Sequence, residues 1–259
     1  RVITNLRADL TLAKGLSLML RSGFDYSSEL DMRKRAYSTQ RFPNGQYRED
    51  FIYAYEQNTD FLFAYNTELN QDFDFGVSFG GNHRSAKNRY QRISANSLSI
   101  PGIYNFGNAA EPLTQSDYDG KFTVNSLYAF SNLAYKDYAF LDVTARNDWS
   151  STLPDGNNSY FYPSVGLSFI LSDMFQMPES ISFAKVRGGW ASVGNDTDPY
   201  NLAATFGFGN TFNGYSRAYS PSELKLADLK PERTNSFEVG ADVRFFGNRL
   251  GLDVAAYKS

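Results

Sequence analysis

The chain has 259 residues and a formal net charge of −3, with 42% hydrophobic and 20% charged residues, which is typical of a folded domain and excludes a disordered polymer. It contains no cysteine, which excludes disulfides and thiolate metal sites, and its slightly acidic balance offers no basic surface for nucleic acid. No apolar run approaches the roughly 20 residues that a transmembrane helix needs, so a helical membrane protein is excluded as well.

Apolar and polar residues alternate with a period of two through most of the chain. Because successive side chains of a strand point to opposite faces, this alternation predicts ten β-strands. In chain order they cover residues 4–12, 16–26, 60–69, 73–82, 121–135, 138–149, 160–170, 181–193, 236–246 and 250–257. Several have the length of about 9 to 11 residues with which a tilted strand crosses a bilayer.

The connections between these predicted strands alternate in length. Short links rich in turn formers occur at 14–15, 70–72, 136–137 and 247–249. Long loops are predicted at 27–58, 83–120, 150–159 and 194–235, and a link of medium length at 171–180 is predicted to form a turn of helix around 174–178. Alternate connections of an up-and-down barrel lie at the same end. The pattern therefore predicts one end of tight turns and one end of long loops, as in outer-membrane barrels.

The fold class predicted from these features is all-β, an antiparallel up-and-down transmembrane β-barrel with an apolar outer face and a polar lumen. A soluble β-sandwich or propeller, whose strands also alternate, is the alternative. Strand parity places eight charged residues on the lumen side, where they line a solute pathway or pair with one another across the wall. These candidates are Arg7, Asp9, Asp142, Arg146, Asp148, Glu238, Asp242 and Arg244.

Aromatic residues are concentrated in two of the predicted long loops. They are candidates for contacts with a ligand or a partner, because such rings stack on sugar faces and give a large contact area. The alternative is that they form a small apolar core that keeps a long loop folded. The candidates are Tyr104, Phe206, Phe208, Phe212, Tyr215 and Tyr219.

Three stretches of the sequence resemble a known family. The first stretch resembles a barrel signature of the SusC/RagA type of TonB-dependent outer-membrane transporter. It reads RNDWSSTLP at 146–154, followed by NNSYFYPS at 157–164. The second stretch resembles the next hairpin of that family and consists of VR at 186–187 and ASVGNDT at 191–197. The third stretch is similar to a pattern found in TonB-dependent receptors more widely. It consists of LKPER at 229–233 leading into FEVG at 237–240.

This resemblance implies a barrel of about 22 strands, of which the chain would supply about ten. Residues 1–259 would then belong to the barrel domain, and the plug domain, the TonB box and the signal peptide would lie outside this segment. The implied function is TonB-dependent active import of a large nutrient, an oligosaccharide or else a peptide, across the outer membrane of a Gram-negative bacterium. The implied partners are a SusD-like surface lipoprotein, TonB-ExbB-ExbD acting through the plug, and outer-membrane lipid.

Two other functions are weighed against this one. A generic TonB-dependent receptor for a siderophore or vitamin would share the barrel but lack the SusD-like partner. A small self-contained barrel acting as an adhesin, a pore or an enzyme would require the first strand to pair with the tenth. Catalysis of the kind known in such barrels needs a histidine base beside a nucleophile, and the single histidine, His83, is predicted to lie in a surface loop. The sequence therefore predicts no catalytic residue, no metal ligand and no cofactor.

Overall fold

The computed structural model of the chain describes residues 1–209 and 211–259, and its main feature is one antiparallel ten-stranded sheet. A separate two-stranded hairpin, β9 and β10, lies between β8 and β11 in the chain. Consecutive strands of the large sheet are neighbours throughout, which confirms the predicted all-β, up-and-down arrangement. The strands are β1 (Val2–Ala13), β2 (Leu16–Thr39), β3 (Phe42–Asn70), β4 (Phe73–Ala95), β5 (Thr114–Tyr135), β6 (Ala139–Ser150), β7 (Ser159–Ile170), β8 (Ile181–Asn195), β9 (Gly207–Phe212), β10 (Tyr215–Tyr219), β11 (Glu232–Phe245) and β12 (Leu250–Lys258).

The two edges of the large sheet are β1 and β12, which do not pair with each other in the described part of the chain. A small closed barrel requires that pairing, so the structure contradicts this alternative. Both edge strands present unpaired backbone groups, which an isolated sheet in water would have to protect from association with other chains.

Each of the four predicted short links is a tight turn of the large sheet. Lys136 and Asp137 have positive φ angles of 49° and 58°, as a two-residue hairpin turn requires. Gly15 has φ of 75°, and a Cβ atom there would lie 2.3 Å from the backbone oxygen of Asn66. The Asn66 amide donates a hydrogen bond to the Gly15 carbonyl at 2.9 Å, so this turn packs directly against β3. The medium link contains α1 (Leu171–Met174), which begins earlier than predicted.

The predicted long loops at 27–58 and 83–120 are wrong over most of their length. Strands β2 and β3 continue through the first of them and meet at a two-residue turn, 40–41. Strands β4 and β5 take up much of the second, which leaves only 96–113 as a connection, with a short 3-10 helix at Phe106–Asn108. These strand extensions carry polar side chains on both faces. The alternation that identifies a half-buried strand is therefore weak there, although the backbones still pair.

The chain consists of two compact units. Unit 1 comprises Arg1–Leu6, Ser22–Thr59 and Arg84–Thr123, and unit 2 comprises Arg7–Arg21, Asp60–His83 and Val124–Ser259. Unit 1 has a small apolar core of buried residues with four partly buried neighbours packed on it. The core consists of Tyr47, Ala95 and Leu98, and the neighbours are Tyr37, Tyr104, Phe106 and Ala109.

Unit 2 leaves large apolar side chains exposed along one face of the sheet, here named the apolar face. Nothing else in the described part of the chain covers this face, which includes Leu10, Phe63, Phe79, Leu127, Leu167, Phe237, Val239, Leu252 and Val254. None of the described helices is long and apolar enough to cross a membrane.

Candidate functional site on the polar face of the sheet

The side of unit 2 opposite the apolar face, here named the polar face, carries the predicted lumen residues. Directly opposed residues of neighbouring strands share one face of a sheet. One such row crosses β5, β6, β7, β8 and β11 and consists of Asn132, Asp142, Gly166, Gly189 and Glu238. Two carboxylates thus flank two glycines, and the missing side chains leave a cavity of about 310 Å³ that Asp142 and Glu238 line.

Two predicted residues, Arg146 and Asp148, form a partly buried network across three strands. Arg146 donates from Nε to Asp148 Oδ1 at 2.8 Å and from Nη2 to Ser126 Oγ at 2.9 Å. Tyr162 donates from Oη to the other oxygen of Asp148 at 2.6 Å. The Asp148 side chain is only 8% exposed, and both of its oxygens accept hydrogen bonds. This network braces β5, β6 and β7 on the polar face.

Four of the other predicted lumen residues form two separate ion pairs, and Asp142 and Glu238 line the cavity described above, so the eight candidates do not make up a single site. Arg7 binds Asp9 with two hydrogen bonds of 2.8 Å each, and both side chains are more than half exposed. Arg244 donates to Asp242 at 3.0 Å. Pairs between residues two apart on one strand are the common feature, because such residues lie on the same face.

Arg187 is a polar-face residue that the sequence reasoning missed. It donates to Asp253 Oδ1 at 2.9 Å and lies 3.7 Å from Glu238 Oε1, so it links β8 to both β11 and β12. Its guanidinium lies across Gly240, where a Cβ atom would be 2.9 Å from Arg187 Nε. The alternation of 181–193 could have identified this residue, because Lys185 and Arg187 both alternate with apolar neighbours.

The predicted aromatic contacts lie in two different places. Tyr104 packs against the apolar core of unit 1, as the loop-core alternative proposes. The other five lie on or beside the β9–β10 hairpin, and their side chains are between 60% and 82% exposed: Phe206, Phe208, Phe212, Tyr215 and Tyr219. They do not form an apolar core for their loop. Their role in binding a ligand or partner stays a prediction.

His83 lies within β4 and not in a surface loop. Its Nδ1 atom is 2.7 Å from Asn125 Oδ1, and the side-chain pair is exposed. The nearby Ser85 hydroxyl lies 3.4 Å from the Tyr55 hydroxyl. This arrangement pairs the histidine with an amide.

Two of the stretches that carry the family resemblance meet at one end of unit 2. Ser150 Oγ donates to Asp196 Oδ2 at 2.5 Å, and Thr152 Oγ1 donates to the same oxygen at 3.3 Å. Ser150 and Thr152 are 1% and 4% exposed. Asp196 therefore anchors the connection between β6 and β7 to the end of β8.

Replacing Asp196 with alanine should loosen this connection. The change leaves two buried hydroxyls without their charged acceptor, and a hydrogen bond to a charged group contributes about 1.5 to 3 kcal/mol. Amide hydrogen exchange over 150–158, followed by mass spectrometry on the full-length protein, should become faster. Asp198→Ala is the control, because Asp198 is exposed and its side chain makes no hydrogen bond or ion pair within the described residues. Equal exchange in the two variants would rule out the anchoring role.

Comparison with known proteins agrees with this geometry. Residues 2–259 match the family model described as TonB dependent receptor-like, beta-barrel. TonB-dependent receptor P26 of Formosa agariphila is 25% identical over 209 residues, which are 77% of this chain and 21% of that receptor. TonB-dependent receptor P3 of the same organism is 25% identical over 158 residues, 59% of this chain and 16% of that one. The chain thus spans about a fifth or less of these curated relatives.

The fold is similar to that of the RagAB peptide transporter. The superposition has a TM-score of 0.83 at 20% identity and covers 98% of this chain and 29% of that chain. The same importer in its open-open state gives a TM-score of 0.78 at 22% identity over the same shares of the two chains. At this identity the likeness concerns the fold, and it agrees with the SusC/RagA-type resemblance of the sequence motifs. Since the family model covers almost every residue, the chain belongs to the TonB-dependent receptor-like β-barrel family.

Proposed function

We propose that the chain forms part of the barrel wall of a TonB-dependent importer in the outer membrane of a Gram-negative bacterium. The observation that carries this proposal is the exposed apolar face of unit 2 opposite a face of ion pairs. A soluble barrel buries its apolar face inside, whereas an outer-membrane barrel turns it toward lipid and keeps a polar lumen. The ion pairs then satisfy one another in a wet interior.

The cargo in this proposal is a large nutrient, an oligosaccharide in the first place and a peptide in the second. The exposed aromatic rings of the β9–β10 hairpin support this proposal, because they offer flat surfaces to sugars or to a protein partner. A peptide as cargo is supported by the similarity of the fold to that of the RagAB peptide transporter. A SusD-like lipoprotein would hold the cargo over the barrel, and TonB-ExbB-ExbD would act through a plug domain outside residues 1–259.

The test uses the full-length receptor in cells, with and without TonB and with and without its SusD-type lipoprotein. Uptake of labelled oligosaccharides and peptides should disappear when TonB is absent. The double change Phe208→Ala and Phe212→Ala should weaken capture of the lipoprotein or cargo about tenfold, as loss of aromatic contacts does. Leu224→Ala is the matched control, because Leu224 is 96% exposed in the same connection but carries no ring.

Two results would contradict the proposal. Uptake that continues without TonB would mean a passive pore. Uptake of a ferric siderophore that ignores the lipoprotein would assign the receptor to the siderophore and vitamin class.

A further inference from the structure

Unit 1 places two arginines of β2 beside β3 on one face of the sheet. The two-residue turn at 40–41 joins β2 to β3, and Arg35 donates from Nη1 to Gln46 Oε1 across the two strands. The turn and this contact define the same pairing between the strands. With that pairing Arg33 lies opposite Arg48, and both share the face that Arg35 occupies.

The arginines of this face outnumber its carboxylates. Arg48 donates from Nη2 to Asp50 Oδ2 at 2.6 Å, and Arg92 on β4 donates from Nε to Asp50 Oδ1 at 2.8 Å. Arg33 donates from Nε to Asp31 Oδ2 at 3.0 Å. Arg35 has only the neutral Gln46 as its acceptor. Four guanidinium groups therefore face Asp31, Asp50 and Glu29, which shares this face two residues before Asp31, and the cluster carries a net positive charge.

Asp50 is ionised in this cluster. Burial opposes its charge, but the hydrogen bond from Arg92 and the positive charges of Arg48 and Arg92 outweigh burial and lower the pKa of Asp50. Since both oxygens of Asp50 accept arginine donors, its single negative charge is shared between two cations.

Arg48 has a buried donor with no acceptor in the described part of the chain. Its side chain is 10% exposed, and the Nε atom makes no hydrogen bond. A buried donor of a charged group is costly to leave unpaired. Solvent reaches the same cluster through Arg33 and Arg92, whose side chains are 50% and 39% exposed. An anion entering there would find several donors with spare capacity.

We propose that Arg33, Arg35, Arg48 and Arg92 form a binding site for the oxyanion of an anionic cargo molecule, a carboxylate or a sulfate. The planar fork of arginine matches two oxygens of such a group, which is the recognition chemistry that this residue type favours. This inference rests on the proposed import function, because the anion is taken to belong to the cargo.

The test measures binding of matched charged and neutral probes to the purified full-length receptor by calorimetry. One pair is tri-galacturonate and its methyl ester, the second is a sulfated galactose trisaccharide and its desulfated form, and the third is a tripeptide with a free or an amidated carboxyl terminus. At least one charged probe should bind about tenfold or more tightly than its neutral partner, and raised salt should reduce the difference. The pair that responds identifies the source of the oxyanion.

The variant carries Arg33→Gln and Arg35→Gln, which leaves the buried pair of Arg48 and Asp50 and the half-exposed Arg92 intact and should fold. It should lose about tenfold in affinity for the charged probe and bind the neutral probe as before. Lys34→Gln removes one positive charge from the opposite face, where Lys34 lies 6.0 Å from the Tyr104 ring centre, and should change neither affinity.

Equal binding of every charged and neutral pair, or equal behaviour of the arginine and lysine variants, would overturn the oxyanion site. If the oxyanion site fails this test but the same cells take up neutral cargo in a TonB-dependent way, the proposed import function is still supported. Loss of all TonB dependence would instead refute the import function, whatever the probes do.

Discussion

Val239→Arg should block assembly of the receptor in the outer membrane. Val239 lies on the apolar face of β11 with 63% of its surface exposed, and it is opposite Gly188 and Ala256. An arginine on the lipid face costs about 2 to 4 kcal/mol at the middle of the bilayer and about 0 to 1 near its borders. The measurement is the heat-resistant folded fraction of the full-length receptor in membranes, together with its urea unfolding.

Two further variants test whether the cost of an arginine depends on its depth in the bilayer and on the face of the sheet that carries it. Val243 lies on the same face but nearer the tight turn after Phe245, so Val243→Arg should cost less than Val239→Arg. Thr11 lies close to the tight turn after Ala13, and it shares the polar face with Arg7 and Asp9. Thr11→Arg should therefore be tolerated. If all three variants assemble equally well, the assignment of the two faces is wrong.

Asp148→Ala should be the most destabilising single change on the polar face. Removal of the carboxylate leaves Arg146 without its charge partner and Tyr162 without its acceptor. Breaking a buried ion pair from one side costs about 3 to 5 kcal/mol, and the lower end applies here because the Arg146 side chain is 38% exposed. Urea unfolding of the full-length receptor measures the loss.

Asp9→Ala is the matched control for this prediction. Arg7 and Asp9 have the same spacing as Arg146 and Asp148 and are joined by two bonds of 2.8 Å where that pair has one, but the Asp9 side chain is 58% exposed. An exposed ion pair contributes about 0 to 1 kcal/mol, so this variant should unfold almost like the parent protein. A loss of similar size in both variants would show that burial does not set the strength of these pairs.

Sequence alone correctly located four of the tight turns and the order of the ten strands in the large sheet. Each depends on neighbours in the chain, because strand parity and turn chemistry are local properties. The Arg-x-Asp spacing of Arg146 and Asp148 already places both side chains on one face.

Only the tertiary structure shows which side chains are buried and which residues they contact. The exposed hairpin rings and the packed Tyr104 are chemically similar in sequence, yet only the fold shows that Tyr104 is covered by a core built from β3 and the connection after β4.

The arginine cluster illustrates the same limit. Arg33 and Arg35 lie in a segment predicted as a loop, where parity has no meaning, and the other two arginines of the cluster come from β3 and β4. Sequence by itself determined the two faces of the sheet, because a period-two pattern and short turns depend only on consecutive residues. It also indicated the family, because the motifs at 146–164, 186–197 and 229–240 are local stretches. Tertiary structure alone decided which charges meet, since pairing brings Asp50 and Arg92 together across 42 residues and sets four guanidinium groups against a smaller number of carboxylates.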